Sequence, residues 1–272
     1  MPSFPSVSQT VAKRVRALVR DKFSRDQERC FIVNTTKLIL ELLRRKQDQI
    51  DSLLVTPDFL TKHQDILLAP RIVQPFRLYH CPQATLDRLS DTSTAQEALA
   101  IVKQPTWPRL DSAKRPSLLT VYLDSVQDPT NVGTLIRSAA GFGLDAVWLS
   151  PGCADVFSPK VVRASAGTIL TIPTFRDVDF SALAPFPLSC FAADSNPQGA
   201  TPLSAITRRP AKTMLMFGNE SQGLSDRLLL AANVRFYIPL QEAVESLNVA
   251  SAAAISLHHF STLPLADVLP GR

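Results

Sequence analysis

From Ser117 onward the sequence alternates short β-rich apolar runs with amphipathic or polar segments, and that alternation leaves few folds open. Runs at 117–123 and 146–149 are followed by expected strands at 169–172, 188–192, 213–217 and 234–238. Between the first two, residues 131–141 place Val132, Leu135, Ile136, Ala139 and Ala140 at i, i+3, i+4, i+7 and i+8, which is one face of a helix. Strands alternating with helices imply a mostly parallel sheet covered on both faces, an α/β class. The first half reads as a smaller α/β unit, with strands at Cys30–Val33 and Asp51–Val55 and helices over Lys37–Lys46 and Thr94–Ala100. The proline-rich joint from Lys103 to Pro116 suits neither helix nor strand. The chain therefore divides into a domain over 1–104, a linker over 105–116 and a domain over 117–272.

Hydrophobic residues make up 45% of the 272 and charged residues 19%, enough apolar material for a core in each half. No apolar run approaches the ~18–20 residues that span a bilayer, so no membrane partner is expected. The 4 cysteines, at 30, 81, 153 and 190, are scattered without a CxxC pair or a nearby histidine. That argues against a disulfide scaffold and a metal site, and for a reducing, cytoplasmic setting. Residues 1–50 hold eleven Lys/Arg against five Asp/Glu, so they carry the whole of the net +5 charge and one unit more. A basic amino-terminal region on a near-neutral body suggests a polyanion partner; a solvated helix face is the bland alternative. The first twenty residues lack acids and carry Lys13, Arg14, Arg16 and Arg20, as a mitochondrial presequence does. The basic pattern continues unbroken to Arg29, which favours a folded segment.

Three segments of the second half could carry chemistry. Asp124 to Arg137 follows a strand and opens a helix, with Thr130 or Asn131 expected to cap it and Gly133 in its first turn. Taken locally, this is a capped amphipathic helix with a surface arginine. Phe217-Gly218-Asn219-Glu220-Ser221-Gln222-Gly223 is a glycine-flanked polar loop at a strand's carboxyl end, where open α/β sheets bind ligands. It has neither the dinucleotide fingerprint nor the P-loop pattern. Ile238-Pro239-Leu240 ends a strand, and Glu245-Ser246-Leu247-Asn248-Val249 opens an alanine-rich helix that Ser246 is expected to cap. His258-His259, adjacent and pointing apart, does not make a metal pair, and Trp107 and Trp148 read as packing residues.

Together, in this order, Asn131-x-Gly133-x-x-x-Arg137, Gly218-x-Glu220-x-x-Gly223 and Ile238-Pro239 with Ser246-Leu247-Asn248-Val249 resemble the SpoU (TrmH) family of RNA ribose 2'-O-methyltransferases, in the SPOUT superfamily. Ser158–Gly167 matches the same family, and the likeness covers about 117–262. The first half is similar, more loosely, to an L30e-like substrate-binding domain through Val11–Lys22, Cys30–Val33 and Ala95–Val102. The sequence departs from the usual pattern at Asn34-Thr35 and at Ala243.

The resemblance implies a carboxyl-terminal trefoil-knotted α/β methyltransferase domain behind a smaller α/β L30e-like domain. It implies S-adenosylmethionine as cofactor, held mainly through Gly218, Ile238 and Leu247, with Phe217, Asn219, Gly223 and Leu240 around it. The implied reaction is methyl transfer to a ribose 2'-hydroxyl, with Arg137 activating the hydroxyl and Asn131, Glu220, Ser246 and Asn248 completing the catalytic set. It also implies a homodimer acting on RNA, rRNA in preference to tRNA. Lys13, Arg14, Arg16, Arg20 and Arg163 are the RNA candidates, Arg163 being equally a candidate for the partner's cofactor site. The alternative from another class is a non-catalytic RNA-binding assembly factor of the same fold.

Overall fold

The computed structural model describes residues 4–67, 76–92, 96–108, 110 and 115–266. The chain groups into two units: one runs to Thr106 and includes Phe157–Gly167, and the other comprises Trp107–Val156 and the chain from Thr168.

The first unit opens with α1 (Gln9–Arg20) and α2 (Lys22–Glu28), then β1 (Cys30–Val33), α3 (Thr36–Arg45), β2 (Ile50–Val55), α4 (Pro57–Lys62), α5 (Gln64–Leu67), β3 (Arg77–His80), α6 (Gln83–Leu89) and β4 (Ala98–Lys103). Its sheet runs β1-β4-β2-β3, with β4 antiparallel to both neighbours and β3 parallel to β2. Val15 and Leu18 of α1 and Leu86 and Leu89 of α6 pack with Cys30, Ile32, Leu54, Leu99 and Ile101. Fully burying an aliphatic side chain of this kind stabilises by ~1.5–3 kcal/mol. Phe31, alternating to the other side of β1, lies 5.1 Å from the ring of Phe157.

The expected helix over Thr94–Ala100 is corrected here: Ala98–Lys103 is a strand, and 93–95 lie outside the described residues. Alanine favours helix, but β4 sits between two strands whose edges pair its backbone, and Ala98 to Val102 are all buried. That pairing outweighs a propensity of a few tenths of a kcal/mol per residue. Residues 157–167, within the stretch that the sequence assigns to the second domain, group with this first unit.

The second unit contains β5 (Leu118–Leu123), α7 (Pro129–Gly141) and β6 (Ala146–Leu149). After α8 (Pro159–Ala164), which belongs to the first unit, come β7 (Thr174–Phe175), β8 (Ser189–Ala193), β9 (Thr201–Pro202), β10 (Lys212–Phe217), α9 (Asp226–Ala231), β11 (Val234–Tyr237) and α10 (Val249–Thr262). The seven strands lie in the order β7-β6-β5-β10-β8-β11-β9 and every pairing is parallel. The strand expected at 169–172 is instead a 3-10 turn over Thr168–Leu170, and the edge strand β7 follows at Thr174. Ile169, Leu170 and Ile172 are buried there, so apolar character alone could not separate turn from strand.

One face of the sheet packs Tyr122, Trp148, Met214 and Met216 with Leu228 of α9, and Trp148 stacks on Phe175 at 4.4 Å. Helices α7 and α10 contact one another; α7 buries Val132, Leu135, Ile136 and Ala139, and α10 buries Ala250, Ala253, Leu257 and Phe260, the last against the rings of Phe191 and Phe236. Because all strands run the same way, the loops after β5, β8, β10 and β11 gather at one edge of the sheet. No helix among the described residues is long and apolar enough to cross a membrane.

Candidate functional site

The loop after β10 is shaped by two glycines. A Cβ on Gly218 would lie 2.1 Å from the Gly223 carbonyl carbon and 2.2 Å from the Leu224 nitrogen, so only glycine fits. Gly223, at φ +71°, turns the chain back. Asn219 and Gly223 exchange two backbone hydrogen bonds of 2.9 Å across the loop. The Asn219 side chain accepts from the Ser221 and Gln222 N–H groups and donates to the Ser125 carbonyl at 2.9 Å, tying this loop to the one after β5.

Glu220 stands at the end of a directed chain of hydrogen bonds. Its carboxylate accepts from the Asn131 side-chain amide at 2.9 Å and from the backbone N–H groups of Asp128 at 3.1 Å and Gln127 at 3.3 Å. The Asn131 carbonyl oxygen accepts from the Asn248 amide at 3.0 Å, and the Asn248 oxygen accepts from Ala250 and Ser251 at the start of α10. A carboxylate only accepts and a helix amino terminus only donates, so both asparagine orientations are fixed by their neighbours. Burial alone would raise the Glu220 pKa. The Asn131 amide and the backbone donors outweigh it and hold the carboxyl below its ordinary value.

A depressed carboxylate contributes above its unfolded pKa and stops contributing as pH falls through the lowered folded value. Ligand affinity at this site is therefore expected to be flat from neutrality to about pH 5 and to fall below about pH 4. Glu220→Gln, which turns an amide N–H toward donors, is expected to lose about tenfold at pH 7, a figure already reduced for solvent screening at this exposed carboxylate. Titration calorimetry across pH checks both, and an affinity in the variant equal to wild type would remove the carboxylate from the account.

The same network corrects both expected caps. The side chain of Asp128, not Thr130 or Asn131, caps α7 by accepting from Thr130 N–H, because Pro129 starts the helix two residues early. Asn248, not Ser246, caps α10. Ser246 is exposed on the preceding loop and Asn131 is released from capping to serve Glu220.

These loops enclose a cavity of about 310 Å³ between the ends of β8, β10 and β11 and the start of α10. Phe217, Gly218, Asn219, Gly223, Ile238, Leu240 and Leu247 all line it, as do Glu220 and Ser246. Asn131 and Asn248 stand behind Glu220 and are not in the wall. Ala193, Asp194, Ser195 and Glu245 also line it, and sequence reasoning missed them as site residues. The carboxyl end of an expected strand at 188–192 was the available signal for the first three. Asp194 is fixed by Arg235, whose Nε donates to it at 3.0 Å.

Residues 118–258 match the SpoU rRNA Methylase family model, which takes in just over half of the chain. The chain belongs to the SpoU rRNA methylase family. It is 33% identical to the 23S rRNA (guanosine(2553)-2'-O)-methyltransferase RlmP of Bacillus subtilis over 66% of this chain and 71% of that protein. It is 29% identical to an uncharacterized tRNA/rRNA methyltransferase of Synechocystis over 99% of this chain and 97% of that one. Among solved structures, a TrmH-family protein of Porphyromonas gingivalis is 30% identical with a TM-score of 0.77, over 93% of this chain and 98% of its own. An AdoMet-bound rRNA methyltransferase of Sinorhizobium meliloti is 25% identical with a TM-score of 0.78, over 94% and 95%.

For a SpoU chain the position of Arg137 is informative. It lies six residues beyond Asn131, ~9 Å further along α7, exposed and outside the cavity wall. It forms no hydrogen bond or ion pair among the described residues. Of the RNA candidates, Lys13, Arg16 and Arg20 are exposed on α1. Arg14 is held inside the first unit by Glu28 and Asp51, each at 2.6 Å. Burial alone would lower its pKa, but the two carboxylates raise it, so its charge is compensated within the fold. Arg163 is paired to Asp91 at 2.7 Å.

Proposed function

We propose that this SpoU chain binds S-adenosylmethionine in the cavity at the ends of β8, β10 and β11 and methylates a ribose 2'-hydroxyl of rRNA. The observation that carries this is the coincidence of a loop-lined cavity with the Glu220–Asn131–Asn248 chain beside it. The residues fit the cofactor's chemistry. Phe236, Ile238, Leu247 and Val249 offer apolar walls for an adenine, and Glu220 and Glu245 offer negative charge toward a cation, Asp194 being already paired with Arg235. When bound, the cofactor supplies an electrophilic methyl group on a sulfonium sulfur.

The protein's part is positioning and electrostatics. Glu220, kept ionised, locks the loops after β5 and β10 to the amino terminus of α10, so the cavity keeps its shape. Asn131 transmits that constraint. To Arg137, exposed and unpaired among the described residues, we assign the holding of an RNA phosphate and the stabilising of negative charge developing on the attacking oxygen. A guanidinium keeps its proton in water near neutrality, so its contribution is charge and not proton removal.

RlmP's name supports rRNA as the substrate. The proposal includes a knotted threading of the second unit, supported by the late strand β10 lying between β5 and β8 and by α10 packing on α7. It includes an L30e-like substrate role for the first unit, supported by its basic α1. It also includes a homodimer, supported by Arg137 lying away from its own cavity and by exposed Leu230, Val244 and Ile255 on the second unit. The four free cysteines fit a reducing, cytoplasmic setting.

Calorimetry with S-adenosylmethionine tests the reading: heat with one site per chain is expected. Its absence would leave a binding scaffold as the better account.

A further inference from the structure

We propose that Phe23 and the outer face of α1 form a docking surface for single-stranded RNA, the cations engaging phosphates and the ring stacking on an unpaired base. This rests on the RNA reading above and says where on the first unit the substrate lies.

Phe23 is 71% exposed. A single apolar side chain in water is ordinary, so exposure alone decides nothing. The mounting of this one does. Asp21 ends α1, its N–H donating to the Ala17 carbonyl, and begins α2, its carboxylate accepting from the N–H groups of Phe23 at 3.2 Å and Ser24 at 2.8 Å. Arg25, 4% exposed, folds back and donates to the carbonyls of Leu18 at 2.7 Å and Val19 at 3.2 Å. These are carbonyls that the end of α1 would otherwise leave open. The corner is clamped from both sides, so the ring is presented on an ordered backbone and little entropy remains to be lost on stacking.

The charges complete the surface. At 100° per residue, Lys13, Arg16 and Arg20 fall within ~60° of one another and extend ~10 Å along α1 toward the corner. All three are exposed and unpaired among the described residues, in contrast to Arg14 on the inner face. Phe23 follows Arg20 by three residues, within a reach of ~10 Å. Of the nearby acids, Asp21 is engaged as a cap, Glu28 holds Arg14, and Asp26 has an interaction of its own. The apolar face of α1 is buried through Val15 and Leu18, so the helix has no second face to insert into lipid. Unpaired cations within reach of an aromatic ring carried on an ordered backbone match single-stranded nucleic acid, which offers phosphates and unstacked bases together.

Fluorescence anisotropy of the full chain with a labelled oligouridine of about twelve nucleotides, and with a duplex RNA of equal length, tests this. Phe23→Leu is expected to weaken single-strand binding by about fivefold to a hundredfold and duplex binding by less than about twofold, with an unchanged melting curve. Phe23→Trp, which keeps a stacking face, is expected to restore affinity. Arg16→Ala is expected to lower the salt slope by about 0.7 on the single strand. Wild-type affinity in Phe23→Leu, an equal loss in Phe23→Trp, or a changed oligomeric state in Phe23→Leu would each overturn the proposal. Failure of the wild type to bind either RNA would instead overturn the RNA reading on which it stands.

Discussion

Replacing Arg137 with alanine is expected to lower methyl transfer to RNA by about 10²–10³-fold while affinity for S-adenosylmethionine stays within about twofold. The separation follows from placement. Arg137 is exposed on α7, contributes nothing to the cavity wall and is paired with no group among the described residues, so its removal leaves the cofactor site intact. It also leaves α7 intact, since the buried stripe of Val132, Leu135, Ile136 and Ala139 is untouched. On the proposed mechanism, what is lost is the positive charge where a 2'-hydroxyl beside a phosphate becomes negative, and electrostatic stabilisation of that kind is commonly the largest single contribution to catalysis. Arg137→Lys keeps the charge but not the planar fork and is expected to recover only part of the rate. Single-turnover transfer of a labelled methyl group, with calorimetry on the same preparations, checks both halves. Transfer near the wild-type rate in Arg137→Ala would remove this residue from the chemistry.

Gly218→Ala is expected to act in the opposite way, abolishing cofactor binding itself. The added methyl would sit 2.1 Å from the Gly223 carbonyl carbon, 2.2 Å from its oxygen and 2.2 Å from the Leu224 nitrogen. These are backbone atoms in a loop fixed by the paired hydrogen bonds between Asn219 and Gly223, so they cannot swing aside as a flexible side chain would. The loop has to open, which separates Asn219 from Ser125 and Glu220 from Asn131. Overpacking alone costs ~1–3 kcal/mol, and loss of this partly exposed network adds to it. Affinity is therefore expected to fall by at least about 100-fold, with a lower melting temperature. Calorimetry and thermal unfolding measure the two effects, and a variant that binds within about tenfold of wild type would show that the loop is not the cofactor's wall.

Much of the fold and the loop after β10 that forms one side of the cavity could be read in the sequence because their signals are local. The strands 118–123 and 212–217 are runs of apolar and β-favouring residues, and glycines flank the loop after the second. The family motifs then singled out seven cavity residues, all of which the structure places in the wall. Other features depended on tertiary partners. Thr94–Ala100 reads as helix, and only the two flanking strands show that its end, from Ala98, is the start of a strand. Asn131 and Ser246 both look able to cap, and only the folded loops show that Asp128 and Asn248 do so while Asn131 relays to Glu220. Asp194 carries no motif and becomes visible once β8 is seen to end beside β10 and β11. Charge counting grouped Arg14 with Arg16 and Arg20, yet two carboxylates distant in sequence take Arg14 out of the exposed set.

The central claim concerns where the methyl group arrives, and alkaline digestion of labelled RNA reads that directly. Hydroxide cleaves RNA through a free 2'-hydroxyl, so a 2'-O-methyl group protects the bond that follows it. After incubation of the purified chain with methyl-labelled S-adenosylmethionine and rRNA, label is expected in alkali-resistant dinucleotides, and not after incubation with Arg137→Ala. Label confined to mononucleotides, as base methylation gives, or no incorporation by a chain that binds the cofactor, would contradict the account.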